Sequence, residues 1–290
     1  MEHVVLPEEN GMRLRDVLRR GMGVSYTALK SAKWRGDITL DGQVAPVDVF
    51  VREGQTVAIH FRENAPVYAV KPYDLPLHIA YEDEWLFVVD KIAPLASQSS
   101  ALHPDDTLEN ALYAHLHCPA DFVYRPVNRL DKGTSGLMII AKDAYSQHRL
   151  QQLLHTPAFV RTYQAVVEGC PAAACGIIDA PIGKEDTASI RRVITPNGKP
   201  SVTHYQVLHR GKTRALVQLT LETGRTHQIR VHMASIGCPV VGDFLYGTEI
   251  PELPGRFALH ASGLTLHHPM TGAWLTLSSP LPASLARLLD

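Results

Sequence analysis

The chain has 290 residues, 45% of them hydrophobic and 20% charged, with a formal net charge of −1. That length suits one large core or two domains, and the balance is that of an ordinary globular protein. No apolar run reaches the roughly 18 residues of a membrane-spanning helix, and net charge alone gives no pull toward nucleic acid.

The opening, MEHVVLPEENGMRLRD, places acids ahead of any apolar run, so we expect no secretory signal and a cytoplasmic protein. Leu14, Val17 and Leu18 fall at helical spacing with arginines on the other side, predicting a first helix. Ser25 is the expected N-cap of a second helix, TALKSAKWRG, which Gly36 ends. Short strands follow at 38–40 and 56–60, with turns at Asp41-Gly42 and Glu53-Gly54. Between Gly11 and Leu40 seven basic residues (Arg13, Arg15, Arg19, Arg20, Lys30, Lys33, Arg35) face only Asp16 and Asp37. Between Arg210 and His232 five basic residues face only Glu222. A neutral chain can carry basic faces of this kind that follow phosphates, although most charge runs are solvated surface.

Residues 62–76, RENAPVYAVKPYDLP, read as a proline-punctuated linker with a first strand in Val-Tyr-Ala-Val. Beyond it we expect a strand at 85–91, a helix at 108–117 capped by Thr107, a core strand at 135–142, and a helix at 144–154 stopped by Pro157. Strands at 163–168, 201–208, 214–221 and 264–266 follow, interrupted by a helix at 226–236. Clustered strands with few helices argue for an α+β fold with a mixed, mainly antiparallel sheet. The domain boundaries we expect are 1–62 for a small α+β unit, 63–76 for linker and first strand, and 77–290 for the main body. Cys118, Cys170, Cys175 and Cys238 include no C-x-x-C pair, which predicts reduced thiols and no metal.

The most informative stretch is RPVNRLDKGTSGLMIIAKD, residues 125–143. Asp131 there feeds a small-residue turn and then a buried apolar strand, a common setting for a functional side chain on a rigid support. An aspartate bonding its own backbone is an equal reading from spacing alone.

Arg129-Leu130-Asp131 followed by Thr134-Ser135-Gly136 resembles the signature loop of the RluA family of RNA pseudouridine synthases. Arg161-Thr-Tyr163-Gln-Ala165-Val-Val167 is similar to that family's basic-x-Tyr-x-Ala-x-Val strand. Thr223-Gly224-Arg225-Thr226-His227-Gln228-Ile229-Arg230-Val231-His232, running on to Gly237-Cys-Pro239-Val-Val-Gly242-Asp243, resembles its third motif. Ala258-Leu259-His260-Ala261 with His268-Pro269 also matches. The resemblance runs from about Pro76 onward and departs at Asn128, where the family often has His. The N-terminal order of two helices then strands resembles, more loosely, the S4-like RNA-binding module often attached to such enzymes.

The family's reaction breaks the bond from ribose C1′ to N1 of uracil, turns the base, joins C1′ to C5 and releases the C5 proton. It needs no energy source or redox change, so no cofactor is implied, and the chain carries no phosphate loop or dinucleotide fingerprint. A carboxylate can attack C1′ or remove a C2′ proton, and the resemblance gives that role to Asp131. It makes Arg230 the cationic partner, with Arg225 a rival that a helix would point elsewhere. Tyr163 is implied in the uracil pocket, stacking or taking part in C5 deprotonation. Arg129 is implied in holding the flipped RNA. Thr134, His227 and Arg225, and Arg19, Arg20, Lys30, Lys33 and Arg35 of the N-terminal block, are the remaining expected substrate contacts.

Fifteen histidines raise the question of a metal, but His227 and His232 are five apart with Gln228 between them, so no metal is expected. The expected partner is RNA, ribosomal more than transfer RNA, with the protein a monomer. A catalytically silent RNA-binding relative is the alternative, supported only by Asn128. An unrelated hydrolase lacks a nucleophile elbow or a second suitable carboxylate.

Overall fold

The structure is a computed structural model that describes residues 1–24, 26–60, 69–186 and 189–289. The expected Ser25 cap and half of the Val-Tyr-Ala-Val strand therefore lie outside the described residues. The N-terminal unit is built as its pattern predicts. Leu14, Val17 and Leu18 are fully buried on a short helix, α1 (Leu14–Asp16), that widens into a turn over Val17–Gly21. Helix α2 (Tyr26–Arg35) ends at Gly36, whose φ of +71° suits a residue without a Cβ. Four strands, β1 (Glu2–Val4), β2 (Ile38–Leu40), β3 (Gln43–Val44) and β4 (Thr56–Ile59), form one sheet in the order β1-β4-β2-β3. Asp41 and Gly42, both at positive φ, turn the β2–β3 hairpin. This unit has its own core, in which Leu29, Ile38, Val57 and Ile59 join the α1 residues.

The main body is organised by a nine-stranded sheet. Among the described residues its first strand is β5 (His78–Glu82), and residues 69–77, which include Ala69 and Val70 of the expected strand, carry none. A half-exposed edge strand lacks the strong apolar signal that marks its neighbour β6 (Leu86–Lys91). After helix α3 (Leu108–His115), capped by Thr107, comes β7 (Ser135–Ala141), buried at every position. Helix α4 (Ala144–Leu153) follows, its N-cap Asp143 accepting from the Tyr145 and Ser146 amides. Then come β8 (Phe159–Glu168), β9 (Cys175–Asp179), a small separate hairpin β10 (Ile182–Lys184) and β11 (Arg192–Ile194), and the long pair β12 (Val202–Arg210) and β13 (Arg214–Leu221). Helix α5 (Gln228–Ser235) precedes β14 (Leu259–His267) and β15 (Trp274–Ser278), and α6 (Ala283–Ala286) lies near the C-terminus.

The strand order is β5-β6-β7-β14-β8-β13-β12-β9, with β15 on β14. Every pairing is antiparallel except β7 with β14, so the sheet is mixed and mainly antiparallel as expected. The parallel contact explains one glycine of the first motif. A Cβ on Gly136 would stand 2.6 Å from the Ala261 amide nitrogen, and its φ is +106°, so only glycine allows the approach. The N-terminal unit meets the body at α4, where the Tyr145 hydroxyl donates to Met22 O at 2.8 Å and Arg149 donates to the same hydroxyl at 3.0 Å. Among the described residues no helix is long and apolar enough to cross a membrane.

Candidate active site

A cleft of about 840 Å³ opens where the loop before β7, the start of β8 and the turn before α5 converge. Arg129, Asp131, Thr134, Tyr163, Arg225, His227 and Arg230 all line it, so residues up to 101 positions apart in sequence meet at one place. Arg19, Arg20, Lys30 and Lys33 are exposed on the N-terminal unit and do not line the cleft. Arg35 lies in α2, its side chain outside the described residues.

Asp131 is held at the tip of a turn that Thr134 closes by donating its amide to Asp131 O at 3.0 Å. The approach is fixed by Asn128, buried at 9% exposure, whose Oδ1 accepts the Ile139 amide at 2.9 Å, while the Val127 amide donates to Ile139 O. Asn128 thus ties the loop to the core strand. The Asp131 side chain is 28% exposed, open to the cleft, and receives Arg230 Nη1 at 3.1 Å.

Arg230 is aimed by a second carboxylate. Its Nε and Nη2 donate to the two oxygens of Asp243 at 2.6 and 2.8 Å, and Asp243 is wholly buried. Its guanidinium lies over the Phe257 ring at 4.1 Å and the Tyr246 ring at 5.1 Å. Burial disfavours the charge, but the Asp243 hydrogen bonds and the charges of Asp131 and Asp243 outweigh it, holding the Arg230 pKa above the ordinary arginine value. The resulting chain Asp243–Arg230–Asp131 fixes a permanent cation against the cleft carboxylate.

The α5 helix starts later than the sequence predicts, at Gln228, because His227 takes a left-handed φ of 60°. Gln228 builds the turn: its Oε1 accepts the Arg225 amide and the Thr223 hydroxyl, and its amide nitrogen donates to Val202 O and Thr203 Oγ1. Arg225 therefore stands before the helix, correcting the helical argument, and its Nε donates to Pro200 O, away from Asp131. His227 lies 4.0 Å from Asp131 Oδ2 and bonds the Tyr246 hydroxyl at 2.9 Å. Burial pushes its imidazole below the usual range, against the pull of Asp131, so it is neutral at neutral pH. Tyr163 is 6% exposed; burial pushes its phenol above the usual value, so it stays protonated. Arg129 is exposed at the rim and donates to Gln98 Oε1 at 3.2 Å.

Sequence reasoning assigned no role to Asp243 or Lys91. Asp243 was visible only as the acid closing the third motif. Lys91 ends an apolar strand, where lysine usually escapes to solvent, yet it is 1% exposed. Its Nζ donates to Ile92 O and Leu95 O at 3.0 and 2.7 Å, and the Leu95 amide in turn bonds Lys132 O, next to Asp131. Burial pushes the Lys91 amine down to about 7, against the attraction of Asp131 and helped by the repulsion of Arg256. Three other histidines are held within the fold. His232 bonds Thr203 and Ala180 O, His260 bonds Ser135 and Ser279 O, and His268 bonds Asp83.

Comparison with known proteins shows the family. Residues 70–235 match the RNA pseudouridylate synthase family. Ribosomal large subunit pseudouridine synthase D of Escherichia coli K12 is 37% identical over 97% of this chain and 90% of its own length. An uncharacterized RNA pseudouridine synthase of Bacillus subtilis, YjbO, is 36% identical over 92% of this chain and 95% of its own. The solved structure of human RNA pseudouridylate synthase domain containing 1 superposes with a TM-score of 0.60 at 28% identity, covering 72% of this chain and 86% of that one.

Proposed function

Because the chain belongs to the RNA pseudouridylate synthase family and is an isomerase acting on RNA, we propose that it converts uridine to pseudouridine in large-subunit ribosomal RNA, with Asp131 as the group that works on the ribose. The observation that carries this reading is the Asp243–Arg230–Asp131 chain at the cleft. A carboxylate must be charged to attack C1′ or to take the C2′ proton, and an arginine locked in place keeps that charge favourable as the site closes and water leaves.

The rest of the cleft serves the base. Tyr163, on the same strand face as Ala165 and Val167, offers a ring for the uracil to stack on and a protonated hydroxyl to donate to it. Burial holds its phenol protonated, so in the resting site it donates, and a part in C5 deprotonation would require it first to lose that proton. Arg129 at the rim is placed to hold the RNA once the nucleotide leaves the stack, and Thr134, His227 and Arg225 complete the contacts. The N-terminal unit, which we read as S4-like, presents Arg19, Arg20, Lys30 and Lys33 to solvent. It docks on α4, whose end (Gln151, Leu154, His155) also lines the cleft, so its cations stand beside bound RNA.

The test is release of tritium from RNA labelled at uridine C5, isolated from cells lacking this protein. We expect release from large-subunit ribosomal RNA with the wild type, and none with Asp131→Asn, which keeps the shape and should still bind. Release only from transfer RNA would move the substrate assignment. An Asn variant with full rate would remove Asp131 from the mechanism.

A further inference from the structure

One buried cation at the cleft finds no acceptor for two of its nitrogens among the described residues. Arg161 lies two residues before Tyr163 on β8, so the two side chains leave the same face. It is 7% exposed, and its Nε and Nη2 are closed to solvent without an acceptor. Among the described residues it makes no ion pair, and its ring neighbour Phe159 is 6.0 Å away. The other buried cations of the body are satisfied more fully. Arg230 has two carboxylates, Lys91 two carbonyls, and Arg125 the carbonyls of Val123 and Lys142; half-buried Arg256 has the Ser135 hydroxyl, although its Nε also lacks an acceptor. An unpaired buried charge is a costly arrangement, so its persistence calls for a ligand that supplies the missing anion.

The surroundings indicate which nitrogen is presented. A Cβ added to Gly224 would stand 3.2 Å from Arg161 Nη1, and His155 lies on the other side of the same gap, 3.6 Å from that point. The absent side chain of Gly224 thus leaves open the space in front of Nη1. Arg225 follows directly, its backbone and Nε fixed by Gln228 and Pro200. Resting on the reading of Asp131 and Tyr163 above, we propose that Arg161, with Arg225 across Gly224, binds a phosphodiester of the flipped nucleotide. Residues i and i+2 on a strand are about 6.6 Å apart. That spacing is comparable to the reach from a nucleobase to its own phosphate, so a uracil on Tyr163 would bring its backbone to Arg161.

The experiment uses the full chain with Arg161→Gln, Arg161→Lys and Gly224→Ala, and large-subunit ribosomal RNA labelled at uridine C5. With one phosphate left unneutralised, kcat/KM should fall by about tenfold or more, and the slope of log(kcat/KM) against log[KCl] should become less negative by about 0.7–0.9. Arg161→Lys should keep the slope. Gly224→Ala, which retains the cation but fills the gap, should lose it as Arg161→Gln does. Slopes equal to the wild type in both Gln and Ala variants, whatever their rates, would make Arg161 a packing residue and overturn the proposal. If Arg161→Gln fails to fold, the Lys and Ala variants decide in the same way. If the wild type releases no tritium, the reading of Asp131 fails, and the salt slope of RNA binding still tests Arg161 on its own.

Discussion

Asp243 grips Arg230 with both of its oxygens and leaves one guanidinium nitrogen, Nη1, for Asp131. The fork-to-fork geometry fixes the plane of the guanidinium, so the cleft carboxylate meets a donor whose direction is already set. Preorganisation of this kind spares the reaction the cost of reorienting a cation as charge shifts at the ribose.

Asp243→Asn should therefore damage both stability and turnover. The substitution removes the buried charge facing Arg230 and turns an N–H donor toward one of its two forked nitrogens, a defect worth about 3–5 kcal/mol. Urea unfolding would measure the first effect and tritium release the second. A variant as stable and as active as the wild type would detach Asp243 from the site.

Lys91 gives a pH signature. Its folded pKa of about 7 lies below the ordinary 10.5, so between those values the unfolded chain binds more protons. Stability from this group therefore rises with pH from about 7 toward 10.5 and is flat below, where both states are protonated. Lys91→Met should remove that rise, read as the difference between variant and wild type in denaturant melts at about pH 6, 8 and 9.5. Asp131→Asn removes a charge that favours protonated Lys91, so it should shift the rise to lower pH. A Met variant with the wild-type pH profile would rule out a neutral buried amine.

Asn128 lines the cleft and ties its loop to the core strand. Asn128→Ala strands the buried Ile139 amide, a loss of about 1–3 kcal/mol, and should lower stability more than turnover per folded molecule. A collapse of turnover without loss of stability would instead make it part of the reaction.

The N-terminal cations should act through ionic strength. Replacing Arg19, Arg20, Lys30 and Lys33 by Ala should raise KM at moderate salt and flatten its salt dependence, by up to about 0.7–0.9 in slope for each phosphate no longer neutralised. Unchanged affinity across salt would make this unit a structural cap.

Much of this was legible in the chain, for physical reasons that differ by element. Strand β7 announced itself because it is buried on both faces, and α1 because its apolar stripe covers a small core. The edge strand β5 was missed because half-exposed residues carry little pattern. Thr226 and His227 were placed on a helix because the left-handed turn at His227 leaves no mark in hydropathy. Asp131, Tyr163 and Arg230 could be named from motif resemblance, but Asp243 and Lys91 could not. Their roles come from burial against distant segments, which a linear reading does not contain.

Strand β14 leaves the ribosome after every other strand of the large sheet except β15, yet it is wedged between β7 and β8, which lead from Asp131 and carry Tyr163. Until residues 259–267 emerge, β7 and β8 have no strand between them, and pairing across so long a stretch of chain is slow to form. The large sheet is thus closed from the C-terminal side, and the two strands that frame the cleft are joined only once β14 has been threaded home.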